Sequence, residues 1–99
     1  MKVEFDDNGA RVKISGEFTF TDHVAFKAIA SRLFEGQGWP IVIDLTKLEF
    51  IDSAGLGMLL IVRDEADKAQ RSLILRGPHG QVKRMFAVTK FDTLFTVEA

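Results

Sequence analysis

The segment "WPIVIDL", Trp39 to Leu45, constrains the fold more than any other part of the chain. It is a short, nearly continuous apolar run, interrupted only by Asp44. A strand with one solvated face alternates polar and apolar residues. A run without that alternation reads as a strand buried on both faces, as parallel strands of α/β proteins usually are. "SLILR", Ser72 to Arg76, reads the same way and is broken by Gly77-Pro78.

The sequence around these two strands predicts a hairpin and three helices. Val3 and Phe5 alternate with polar residues, and so do Ala10, Val12 and Ile14. Between them lies "DDNG", whose Asn8-Gly9 pair suits a tight hairpin turn, and Gly16 is read as its end. Thr21 is the expected cap of a first helix, with Asp22 in its first turn. Phe26, Ile29, Ala30 and Leu33 fall at helical spacing before a stop at Gly36. A second helix is predicted from about Ala54 to Gln70, with Met58, Val62, Ala66 and Ala69 inward. A third, "GQVKRMFAV", turns Val82, Met85 and Phe86 inward, and "LFTV" (Leu94 to Val97) closes as a strand. The expected fold is α/β: a mixed β-sheet with an N-terminal hairpin, packed against about three helices, within one domain over residues 1–99.

Composition excludes several classes of function. A net charge of −1 provides no basic footprint for nucleic acid. The longest apolar stretch, Leu56 to Val62, is too short to span a bilayer, and no secretory leader pattern opens the sequence. Without cysteine there is no disulfide, thiolate nucleophile or cysteine-held zinc. A cytoplasmic location without membrane insertion is expected. His23 and His79 stand far apart without carboxylates at ligand spacing, so they read as solvent-facing residues near helix starts, and no metal site is expected.

The loop expected after Leu45, "TKLEFIDSAG", leaves the carboxyl end of a parallel strand, where α/β sheets usually carry their sites. Its centre, "EFIDSAGLGMLL", sets Asp52 and Ser53 between apolar runs and adds Gly55 and Gly57 to the first helical turns. Asp or Ser caps a helix well by accepting amide hydrogen bonds. Capping leaves the two glycines unexplained, since each weakens a helix by about 1 kcal/mol relative to Ala. Close approach of another surface would use them. Leu56 and Leu60 lie off the inward stripe and contact either a neighbouring helix or a partner. Ser53 has neither the flanking glycine of a hydrolase elbow nor an obvious histidine, and Gly55-x-Gly57 lacks the third glycine and lysine of a phosphate loop. No catalytic residue and no cofactor are expected.

"VIDLTKLEFIDSAGLGMLL" resembles the signature of the STAS domain family, the bacterial anti-sigma factor antagonists: a hydrophobic strand ending in Asp-Leu, then Asp-Ser-Ala/Ser-Gly-Leu-Gly opening a helix. The resemblance extends to the N-terminal hairpin, to "SGEF" and to "VKRMFAVTKFDTLF". It implies partner switching without chemistry of the chain's own. The unmodified domain binds a serine kinase of the histidine-kinase-like ATPase type that doubles as an anti-sigma factor. The kinase phosphorylates the motif serine, here Ser53, and the complex separates. A serine phosphatase then restores the domain. On this resemblance Asp52 orients the hydroxyl or the partner, and Ala54, Gly55, Leu56, Gly57 and Leu60 form the surface that the kinase grips. A second branch of the family, the STAS subunit of a membrane lipid ABC transporter docking on its ATPase, shares the strand-loop-helix without needing a phosphorylatable serine. The segment "GEFTFTDH" departs from the pattern, since many relatives carry an Asp close behind Gly-Glu-Leu.

Overall fold

The computed structural model describes residues 1–6, 10–35 and 40–99. The Asn8-Gly9 turn, the Gly36 stop and the Trp39 strand start lie outside the described residues. Five strands form one sheet in the order β1 (Lys2–Phe5), β2 (Arg11–Phe18), β3 (Ile41–Ile51), β4 (Leu73–Arg76), β5 (Thr96–Glu98). The first pair is antiparallel and the rest are parallel. Helices α1 (His23–Glu35), α2 (Ser53–Lys68), α3 (Gly80–Thr89) and α4 (Phe91–Leu94) connect the parallel strands.

The register shows which face is covered. Val12 pairs with Ile43 and Ile43 with Leu75, and all three are fully buried. Phe26, Ile29 and Leu33 of α1, Met58, Leu59 and Val62 of α2, and Val82 and Phe86 of α3 join them in one core. The opposite face carries a row of alternating charge across all five strands: Glu4, Lys13, Asp44, Arg76 and Glu98 are successive register partners. Neighbours of opposite sign stabilise such a row and keep the uncovered face polar. Asp44 is its buried member. Burial would raise its carboxyl, but the hydroxyl and amide of Thr46 donate to it at 2.7 and 2.9 Å, and Lys13 and Arg11 lie near; together they hold it below its usual value. The expectation of burial on both faces is thus corrected: β3 is buried on the helical side, while Val42 on the other is half-buried.

Several boundaries also differ, each for a physical reason. β3 does not end at Leu45 but runs to Ile51, so most of the expected loop is strand. From Lys13 to Ser15 in β2 the partner strand advances from Asp44 to Lys47, and from Gly16 to Glu17 it advances from Leu48 to Phe50. Each irregularity inserts one extra residue into β3, as a β-bulge does. The inward positions therefore fall at Leu45, Leu48 and Ile51 instead of every second residue, which hides the strand from a period-two reading. The hairpin pairing does end before Gly16, at Ser15 opposite Lys2, but β2 itself does not: Gly16, with φ +84°, carries it on alongside β3 past the second irregularity to Phe18.

Thr21 is not a helix cap. It lies inside a 3-10 turn, Phe20–Asp22, in which the Asp22 carboxylate accepts from the Thr19 amide at 2.9 Å, and α1 begins directly after it. α2 stops at Lys68 because Gln70 takes a left-handed φ of +56°, which leaves Ala69 exposed instead of inward. Leu94 belongs to α4 and not to a strand. Phe91 and Phe95 bracket that turn, and the Phe91 ring packs at a tilt against Phe86 and Phe95 at centroid distances of 5.4 and 5.1 Å, so β5 starts only at Thr96.

Candidate functional site

The end of β3 and the start of α2 meet with one residue between them, Asp52, in extended conformation (φ −101°). Its carboxylate makes two bonds to separate parts of the chain. Oδ1 accepts from the Gly55 amide at 2.8 Å, capping α2, and Oδ2 accepts from the Phe20 amide at 3.1 Å, tying in the turn ahead of α1. The Asp52 carbonyl also accepts the Leu56 amide at 3.0 Å. The choice between Asp and Ser as cap is thereby decided. Asp52 caps the Gly55 amide, and the Ser53 hydroxyl, exposed on the first helical residue, has no hydrogen-bond partner among the described residues.

The remaining motif residues separate into two faces. Ser53, Ala54, Gly57 and Leu60 lie on the outer side, partly or fully accessible, and Ile61 beside them is 55% exposed. Residues spaced this way fall on one helical stripe. Gly55 and Leu56 face inward and are buried. A Cβ on Gly55 would stand 2.7 Å from the Phe18 carbonyl oxygen and 2.7 Å from Ile51 Cγ1. The close approach that requires glycine here is therefore internal, of α2 onto the ends of β2 and β3. At Gly57 an added Cβ meets nothing within 4 Å, so that position is open.

Composition and spacing missed two residues of the site. Phe20, 69% exposed with its amide held by Asp52, and Val24, 81% exposed in the first turn of α1, are large apolar side chains left open to solvent. Gln81, in the first turn of α3, bonds the backbone of Ile51 immediately before Asp52. Phe20 was legible in principle as an aromatic residue outside the helical stripe of α1. Gln81 carried no signal, since a polar residue at a helix start ordinarily faces water. Between α1 and α2 runs a cleft of about 270 Å³ lined by Phe26, Lys27, Met58, Ile61, Val62 and Glu65. His23, at the head of α1, and His79, before α3, are both exposed. Among the described residues no three His, Cys, Asp or Glu side chains converge as metal ligands, and no helix is long and apolar enough to cross a membrane.

The chain was compared with known proteins. A family model described as "Mlab, STAS domain" matches residues 1–97. A STAS-domain containing protein of Pseudomonas aeruginosa is 30% identical over 98 residues, an alignment covering 93% of this chain and 90% of that protein. A Bordetella bronchiseptica protein named as the anti-sigma factor antagonist BtrV is 33% identical over 57 residues, 58% of this chain and 49% of its own length. Two solved structures share the fold. One, named as an anti-sigma factor antagonist of Thermotoga maritima, superposes with a TM-score of 0.76 at 18% identity, covering 99% of this chain and 85% of the other. The anti-sigma factor antagonist SpoIIAA in its unphosphorylated form superposes with a TM-score of 0.70 at 20% identity, covering 99% and 86%.

Proposed function

Because this chain belongs to the STAS domain family, we propose that it is a cytoplasmic anti-sigma factor antagonist that switches partners through Ser53. With Ser53 unmodified it binds a serine kinase that is also the anti-sigma factor; phosphorylation releases that partner, and a serine phosphatase resets the chain. The observation that carries this reading is the division of labour at the helix start. Asp52 holds the Gly55 and Phe20 amides, and the neighbouring hydroxyl is exposed with no hydrogen-bond partner among the described residues.

The transfer is simple to balance. Ser53 Oγ attacks the γ-phosphorus of the kinase's ATP, the bond to the β–γ bridging oxygen breaks, ADP leaves, and the hydroxyl proton goes to a base on the kinase. The chain itself performs no catalysis and only presents the nucleophile. The product carries about −1.5 to −2 charges at neutral pH. At a helix N-terminus this charge faces the positive end of the dipole, so the fold tolerates it. A partner seated on Ser53, Ala54, Gly57 and Leu60, with Phe20, Val24 and Ile61 at the rim, would instead confine that charge beside Asp52 and apolar surface. Desolvation and repulsion then favour dissociation. Buried Gly55 and Leu56 support this surface from beneath.

Pull-down from extract of the source organism with wild type, Ser53→Ala and Ser53→Asp tests the reading, with bound proteins identified by mass spectrometry. Wild type and Ser53→Ala are expected to retain an ATPase of the histidine-kinase-like class, and Ser53→Asp to lose it. In the presence of Mg-ATP the recovered kinase should phosphorylate wild type and not Ser53→Ala. Retention of transporter subunits by all three variants would overturn the switch.

A further inference from the structure

β3 outruns its neighbour. β4 pairs only with Ile41–Asp44, whereas β3 continues to Ile51 with β2 on one side. In a parallel strand, successive residues direct their backbone groups to opposite sides. The Asp52 amide points to β2 and donates to the Phe18 carbonyl at 3.3 Å, so both groups of Ile51 point to the side from which β4 is missing. Buried strand groups without partners are costly. The side-chain amide of Gln81 fills that place: its Oε1 accepts from the Ile51 amide at 2.9 Å, and its Nε2 donates to the Ile51 carbonyl at 2.9 Å. Only one orientation of the carboxamide satisfies both bonds, and no other side chain of that length supplies a donor and an acceptor in that geometry.

We infer that Gln81 is a positioning residue for modification of Ser53, replacing the absent strand and fixing the backbone from which Asp52 and Ser53 emerge. Resting on the switch reading for its functional consequence, the clamp sets how Ser53 is presented. Ile51 is fully buried and lies beneath Gly55, so its backbone is the base on which the start of α2 stands. If the two bonds are lost, the strand end opens locally and the Asp52 cap is populated in only part of the ensemble. A partner that recognises the formed helix start then binds with an apparent constant weakened by that fraction, whereas turnover of the bound complex is unchanged.

The test compares wild type with Gln81→Met, which keeps the length and apolar packing and removes both bonds, and with Gln81→Glu, which keeps the acceptor and removes the donor. Amide exchange followed by NMR on the purified chain is the first readout. In Gln81→Met the Ile51 amide should exchange at least about tenfold faster. The Ser53 to Gly55 resonances should shift or broaden, while Val12, Ile43 and Leu75 keep wild-type protection. Gln81→Glu should fall between the two. Unchanged exchange at Ile51 in Gln81→Met, or an equal acceleration at Val12, Ile43 and Leu75, overturns the assignment. Kinetics with the kinase retained in the pull-down form the second readout. A several-fold rise in KM with kcat unchanged supports positioning; unchanged KM and kcat overturn it. If no kinase is retained, the switch reading fails while the exchange data still decide the clamp.

Discussion

Gly55 and Gly57 are two residues apart in one helix, and the same substitution should move stability in opposite directions. In Gly55→Ala the new methyl would lie 2.7 Å from the Phe18 carbonyl oxygen, 2.7 Å from Ile51 Cγ1 and 3.3 Å from Ile51 Cδ1. Ile51 is fully buried, and the Phe18 carbonyl accepts the Asp52 amide, so neither neighbour can step aside without disturbing the core or the helix cap. Forcing a methyl into such a site costs about 1–3 kcal/mol. The gain in helix propensity from Gly to Ala returns up to about 1 kcal/mol. With two contacts at 2.7 Å, one of them to a backbone oxygen, the cost falls in the upper part of that range, so after about 1 kcal/mol is returned the net expectation is a loss of about 1–2 kcal/mol, at roughly 4–8 °C in Tm for each kcal/mol in a domain of this size. At Gly57 nothing lies within 4 Å of the new atom, so only the propensity gain remains and Tm should rise. Urea titration followed by circular dichroism, with equal m-values confirming a common unfolding reaction, measures both. A Gly55→Ala chain as stable as wild type, or shifts of the same sign in the two variants, would refute the internal role assigned to Gly55. Under the switch reading the Gly57 methyl falls on the face kept for the partner, so Gly57→Ala should retain less kinase while being the more stable protein.

Asp52→Ala should lose about 1–2 kcal/mol, as removal of a helix cap does, while Asp52→Asn keeps one acceptor for Gly55 and loses less; chemical denaturation ranks them, and equal stability of wild type and Asp52→Ala would contradict the role of the two hydrogen bonds that Asp52 accepts. Because the native carboxyl of Asp44 titrates below its ordinary value, its contribution to stability is present above the usual carboxylate range near pH 4. It is lost as pH falls through the lower native value. Asp44→Asn, which preserves an acceptor for Thr46, should flatten the acid limb of a plot of urea midpoint against pH, and parallel curves for variant and wild type would remove Asp44 as a cause.

The elements that could be read from sequence were those whose burial follows one undisturbed period. The inward residues of α1, Phe26, Ile29, Ala30 and Leu33, all lie in the core, because no bulge or break interrupts their spacing. The end of β3 was illegible for the opposite reason: its bulges are properties of the pair with β2, and neither strand alone records which residue is extra. The helical state of Leu94, expected as the first residue of the last strand, depends on Phe86, supplied by α3, against which Phe91 packs at the start of α4. At the site, Asp52 and Ser53 stood out by chemistry, but the sense of the glycines did not. Close approach is a correct inference from Gly55, yet sequence cannot say whether the approaching surface is a partner or the chain's own β2.

The bulges and the exposed serine have a common geometric origin. Two extra residues lengthen β3 relative to β2 and carry its end beyond the last residue paired with β4. That overhang sets the start of α2 against the ends of β2 and β3, beyond the stretch paired with β4, where Ser53 is exposed while Leu56, Met58 and Leu59 reach the core. It also creates two structural demands: a backbone edge without a strand, met by Gln81, and a helix start pressed onto a strand end, met by the missing side chain of Gly55. Shortening β3 by one bulge residue would return that step to the ordinary spacing of two, leaving Leu48 and Ile51 inward but shortening the overhang that carries Asp52 and Ser53. Straightening an irregularity without removing a residue would instead reverse the phase of Leu48 or Ile51 and turn an apolar side chain to the charged face. Presentation of Ser53 is built into the register of the central strand pair, and residues far from the hydroxyl, among them Gly16 at the second irregularity, belong to the same device.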